Sequence, residues 1–142
     1  MKKQEKRPQF VRLSFELLDS PAWRAMSPAG QCLYPLVKRQ YNGSNNGRVF
    51  LSHRAAATAT GLTRPTVAKA YAELMRYGFL VMTTPGCLGS EGHGKAPHWR
   101  LTEEATADRP ATKDYLSWDE TKPIASPRKT KPRPKFFTTL AN

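Results

Sequence analysis

A mainly α fold closed by a small β-hairpin, of the α+β class, is predicted by three observations. Helix-start signals, Ser or Thr followed by Pro, recur at Ser20-Pro21 and Ser27-Pro28. Residues 51–81, LSHRAAATATGLTRPTVAKAYAELMRYGFLV, read as a short helix, a glycine break and a second helix. Two strand-like runs, FLVMTT and WRLT, then flank the polar, glycine-rich PGCLGSEGHGKAPH.

Taken in order, FVRLSFELLDSPAW opens the folded part with a short helix ending near Asp19 and a new start at Pro21. SPAGQCLYPLVKRQYNG is the next helix, with Ser27 as N-cap, Pro28 in the first turn and Asn42-Gly43 as its end. Leu33, Leu36, Val37 and Tyr41 supply its apolar face. Pro35 removes a backbone donor inside that helix and is expected to bend it rather than break it. NGSNNGR is a turn cluster and RVFLS a short strand. Ser52 caps a helix that Gly61 closes, and Thr63 caps one that runs to Tyr77 and stops at Gly78. Val67, Ala70, Tyr71 and Leu74 recur at helical spacing and are expected to face inward, so Arg64, Thr66, Lys69 and Arg76 face out. Trp99 is expected to close the core from the last strand and Trp23 to anchor the N-terminal part.

Three segments follow from the pattern: a folded domain over 9–102, an acidic linker with a short docking element over 103–121, and a basic, Pro-rich, disordered tail over 122–142. The docking element is ATKDYLSW, held by Tyr115, Leu116 and Trp118.

The formal net charge is +12 over 142 residues, and its placement is uneven. Between residues 20 and 102 only Glu73 and Glu91 are acidic, whereas 103–120 carries Glu103, Glu104, Asp108, Asp114, Asp119 and Glu120. Beyond residue 120 every charge is basic. Such a field attracts polyanions, nucleic acid first among them. No apolar run approaches the roughly 20 residues of a membrane span, and the charged start MKKQEKRPQF leads into no apolar signal segment. A cytoplasmic protein with no membrane partner is expected. Cys32, Cys87, His53, His93 and His98 show no metal-ligand spacing, so no metal site is expected.

Residues 52–76 carry what a helix–turn–helix requires. Such a motif lays its second helix in the major groove of DNA. Its first helix must be short; its turn needs a residue that tolerates a left-handed backbone, here Gly61; and an apolar plug, here Leu62, must fill the space between the helices. Thr63 at the N-cap is expected to leave backbone N–H groups and a partial positive charge for a phosphate. Arg64 suits a guanine edge or a phosphate, with Thr66 and Lys69 on the same side. Arg48 and Arg54 flank the motif and His53 begins its first helix. The hairpin forms a wing whose tip carries Lys95 and His98. The candidate DNA-binding set is thus Thr63, Arg64, Thr66, Lys69, His53, Arg54, Arg48, Lys95 and His98.

Residues 51–81 resemble the winged helix–turn–helix of GntR-type regulators, through Ser52, Ala57, Gly61, Leu62, Thr63, Arg64, Thr66, Val67, Leu74, Gly78 and Phe79. The wider arrangement, with its apolar N-terminal segment and YNGSNNGRVFLS, is similar to the N-terminal domains of phage and plasmid replication initiators of the phage O-protein kind. The resemblance implies a winged helix–turn–helix that binds double-stranded DNA. It further implies a transcriptional regulator or a replication-associated factor of a bacterial mobile element or phage.

A protein–protein adaptor that uses the same module is the alternative from a different class. An enzyme is not expected: no carboxylate pair is set for acid–base work, and GCLGSEGHG lacks the Gly-Lys-Ser/Thr ending of a phosphate loop. No catalytic residue, cofactor or small-molecule ligand is expected. A homodimer and a monomer both remain open, as do a phosphate-binding and a merely solubilising tail.

Overall fold

The computed structural model describes residues 8–86 and 96–120. These form a mixed α+β fold of five helices and a two-stranded antiparallel sheet. Two short helices, α1 (Phe15–Leu18) and α2 (Pro21–Ala25), precede the longer α3 (Pro28–Arg39), α4 (His53–Thr60) and α5 (Arg64–Arg76). Strands β1 (Leu80–Thr84) and β2 (His98–Leu101) follow, then a 3-10 turn over Asp114–Ser117.

Every helix starts on a side-chain cap. Ser14, Ser20, Ser27, Ser52 and Thr63 each accept from a backbone N–H in the first turn of the helix they precede. These bonds satisfy donors that the helix itself leaves unpaired, which is why short segments hold helical shape at all. α3 runs through Pro35 unbroken and ends at Arg39, one turn before the expected Asn42-Gly43 stop. The chain leaves the helix there because Asn42 and Asn45 take up the local backbone instead. Asn42 Oδ1 accepts from the amides of Ser44 and Asn45 at 2.9 and 3.1 Å, and Asn45 Nδ2 donates to the Gln40 carbonyl at 2.9 Å.

The expected strand over RVFLS is corrected. Only Val49 pairs there, through a single antiparallel bridge to Trp99. The reason lies in Asn46, whose side chain accepts from Leu101 N at 2.7 Å and donates to the carbonyls of Leu101 and Glu104 at 3.0 and 2.9 Å. A side chain occupies the place where a further rung of backbone pairing would stand. β1 lies on the other edge of β2 in the register Leu80↔Leu101, Val81↔Arg100, Met82↔Trp99 and Thr84↔His98, with an irregularity at Thr83.

α3, α4 and α5 pack on one another, and β1 follows directly on α5. Val67, Ala70, Tyr71 and Leu74 are buried as their spacing predicts. On α3 the buried residues are Leu33, Tyr34 and Val37, whereas Leu36 is only half-buried. Tyr34 belongs to an aromatic cluster with Trp23 and Phe79, and Phe79 stacks on Tyr115 at 5.0 Å between ring centroids. Tyr115 is therefore a core residue. Trp118 meets the edge of Tyr77, while Leu116 faces solvent. Lys38 and Glu103, almost fully buried, form a 2.7 Å ion pair, and Glu103 also accepts from the Tyr34 hydroxyl at 2.7 Å. Lys38 donates in addition to the Arg12 carbonyl.

Candidate nucleic-acid interface

The α4–turn–α5 unit owes its geometry to local chemistry. Gly61, with φ 75°, ends α4 in the left-handed region, and its N–H donates to the Ala57 carbonyl at 2.9 Å. Thr60 Oγ1 donates to Ala56 O at 2.7 Å and accepts from Leu62 N at 3.2 Å. Leu62, half-buried, packs against the core between the helices. Ala56 is fully buried, and its small side chain lets α4 lie close to its neighbours.

α5 then presents its outer side. Thr63, Arg64, Pro65, Ala68, Lys69, Ala72 and Arg76 are exposed along it. Its acid, Glu73, accepts from the Ser27 hydroxyl at 2.6 Å and so is held toward α3. Among the described residues, none of Arg48, Arg54, Arg64 and Lys69 is in an ion pair. These side chains are solvated cations free to meet an anion.

One expectation at the start of α5, a set of free backbone N–H groups, is corrected. Pro65 has no N–H, and the N–H of Thr66 is turned to the Thr63 hydroxyl at 3.4 Å. The first turn thus offers a phosphate the Arg64 amide and the arginine side chain, not a set of free amides. Thr66 is half-buried, and its hydroxyl lies 2.8 Å from that of Thr63, so it takes part in the cap.

His53, at the start of α4, is half-buried and stacks on Tyr71 at 5.1 Å between centroids. Tyr71 in turn stacks on Trp99 at 5.1 Å with the planes 6° apart, and donates its hydroxyl to Leu51 O at 2.6 Å. Burial pulls the His53 pKa below the ordinary histidine value, so at neutral pH it is an uncharged ring. His98 is the first residue of β2, half-buried, with its ring 5.7 Å from that of Phe50. Lys95 lies outside the described residues, as does the expected tip around it.

Arg64 and Lys69 are both exposed on α5, His53 and Arg54 begin the neighbouring helix, and Arg48 and His98 lie at the sheet. Phe50 was not among the expected residues, although it is 55% exposed beside His98. Its signal is the bridge of Val49 to Trp99, which the sequence carries but does not align.

No helix among the described residues is long and apolar enough to cross a membrane. Comparison with known proteins finds no matching family model, no similar curated protein and no matching solved structure.

Proposed function

We propose that this chain is a double-stranded-DNA-binding protein of the winged helix–turn–helix kind. α5 is its recognition helix, and β1 and β2 are the base of its wing. The process it serves is transcriptional regulation or replication of a bacterial mobile element or phage. The observation that carries the reading is the outer side of α5, where Arg64, Pro65, Ala68 and Lys69 are exposed, with its helix's acid turned toward Ser27. A helix with its side chains is about 10–12 Å across and a B-DNA major groove about 12 Å wide, so such a side can enter it. The net charge of +12 supplies the long-range attraction.

Binding of a duplex measured across a salt series tests this. Affinity should fall linearly on a log–log plot, with a slope that reports several phosphate contacts. Arg64→Ala should weaken the preferred sequence by about 1–3 kcal/mol and relax preference at one position. Equal weakening on every sequence would make Arg64 a phosphate contact. Weak association that ignores salt and is unchanged by Arg64→Ala and Lys69→Ala would favour the adaptor.

A further inference from the structure

The outward face of the sheet adds an exposed aromatic ring, Phe50, to the expected Arg48 and His98. The Val49–Trp99 bridge is a hydrogen-bonded pair, Val49 N to Trp99 O at 3.2 Å and Trp99 N to Val49 O at 2.7 Å. Both side chains point into the core, 0% and 1% exposed. Side chains alternate along a strand, so their neighbours must point the other way. Phe50, next to Val49, lies beside His98, next to Trp99, at 5.7 Å between ring centroids, and Arg48 and Arg100 are the residues on the other side of the bridge. Arg48 and Phe50 are exposed, and His98 and Arg100 are half-buried.

That arrangement is poor as a surface for its own sake. Among the described residues neither arginine is in an ion pair. Arg100 is steadied by a 2.9 Å bond to Thr112 Oγ1, and Asp108 feels its charge from beyond ion-pair distance. Arg48 is exposed, with its guanidinium in no ion pair among these residues. Phe50, more than half in water, gains little from the core. A polyanion with flat apolar groups suits both features together, and single-stranded DNA is that ligand: phosphates against cations, bases stacked on rings. In a duplex the bases stack on one another and offer no free face to Phe50.

We infer that the outward face of the sheet is a single-stranded-DNA site, in which an unpaired base stacks on Phe50 beside His98 and the adjoining phosphate meets Arg48. The site is separate from the outer side of α5 and stands or falls without it. If both hold, the protein engages a duplex next to an opened or unpaired stretch.

The test uses the full chain and three probes: an unstructured single-stranded oligodeoxynucleotide, a blunt duplex, and that duplex with a single-stranded extension. Phe50→Ala should weaken the single strand about tenfold, the loss of one stacked base. It should also remove the advantage of the extension and leave the blunt duplex unchanged. Phe50→Leu should fail in the same way, because it keeps the apolar volume but not the ring. Arg48→Ala should lower the salt slope for the single strand by about one phosphate contact. Circular dichroism and the melting temperature check that these exposed substitutions leave the fold intact. Single-strand affinity that Phe50→Ala does not change overturns the inference, as does equal weakening of single strand and blunt duplex, which would assign Phe50 to the duplex face. Loss of all duplex binding in the unaltered protein, with single-strand binding that still depends on Phe50, would sink the proposed function and uphold this site.

Discussion

Gly61 and Gly78 both hold left-handed backbones, with φ of 75° and 86°, yet a side chain would meet different surroundings at each. A Cβ at Gly61 finds nothing within 4 Å, so Gly61→Ala should lose about the 1–2 kcal/mol of the left-handed conformation alone. A Cβ at Gly78 would stand 2.8 Å from the backbone of Asp114 and of Tyr115. Gly78→Ala must therefore also push away the segment that seats Tyr115 on Phe79, and should be clearly the more destabilising in urea unfolding. Equal losses would mean that this segment does not pack there. Both glycines were legible as helix ends, because the signal is local. The second duty of Gly78 was not, since the docking element ATKDYLSW was expected without any sign of where on the domain it sits.

Elements show the same division between local and distant causes. The caps at Ser27, Ser52 and Thr63 act within three residues, and the helices they start were readable in advance. The segment 48–52 has strand-forming residues, but pairing needs a partner edge, and Asn46 occupies part of that edge. The stack of His53, Tyr71 and Trp99 ties α4, α5 and β2 together, and it gives the fold a pH dependence. Burial lowers the His53 pKa in the folded state, so the unfolded chain takes up the proton more readily. The stabilising contribution is complete above the ordinary histidine value of about 6.5 and is lost as pH falls below it toward the depressed folded value. Urea midpoints should drop modestly over that interval, the ring being partly in water. His53→Phe, which keeps a ring on Tyr71, should flatten that part of the profile. A profile unchanged by the substitution would remove His53 from the account.

Over the described residues, long-range pairs hold the chain together. Glu103 gathers Lys38, the Tyr34 hydroxyl and the Ser14 amide, closing the N-terminal segment, α3 and the chain after β2 into one body. Glu16 on α1 pairs with Lys113 at 2.9 Å, which keeps the acidic segment beside α1. Asp114 packs against Gly78, just past the C-terminal end of α5, a helix about 20 Å long whose other end carries Arg64. The acidic segment thus lies away from the end of α5 proposed to meet DNA. Long-range pairs such as Lys38 with Glu103 were not readable from spacing, whereas the uneven run of charges was. The proposed orientation is tested most directly by titrating the isotope-labelled protein with a short duplex and following its backbone amide resonances. The account predicts the largest shifts at Thr63, Arg64, Thr66 and Lys69, with Glu16 and Asp114 to Ser117 little changed. Shifts centred on α1 and the acidic segment, with the start of α5 unmoved, would contradict it.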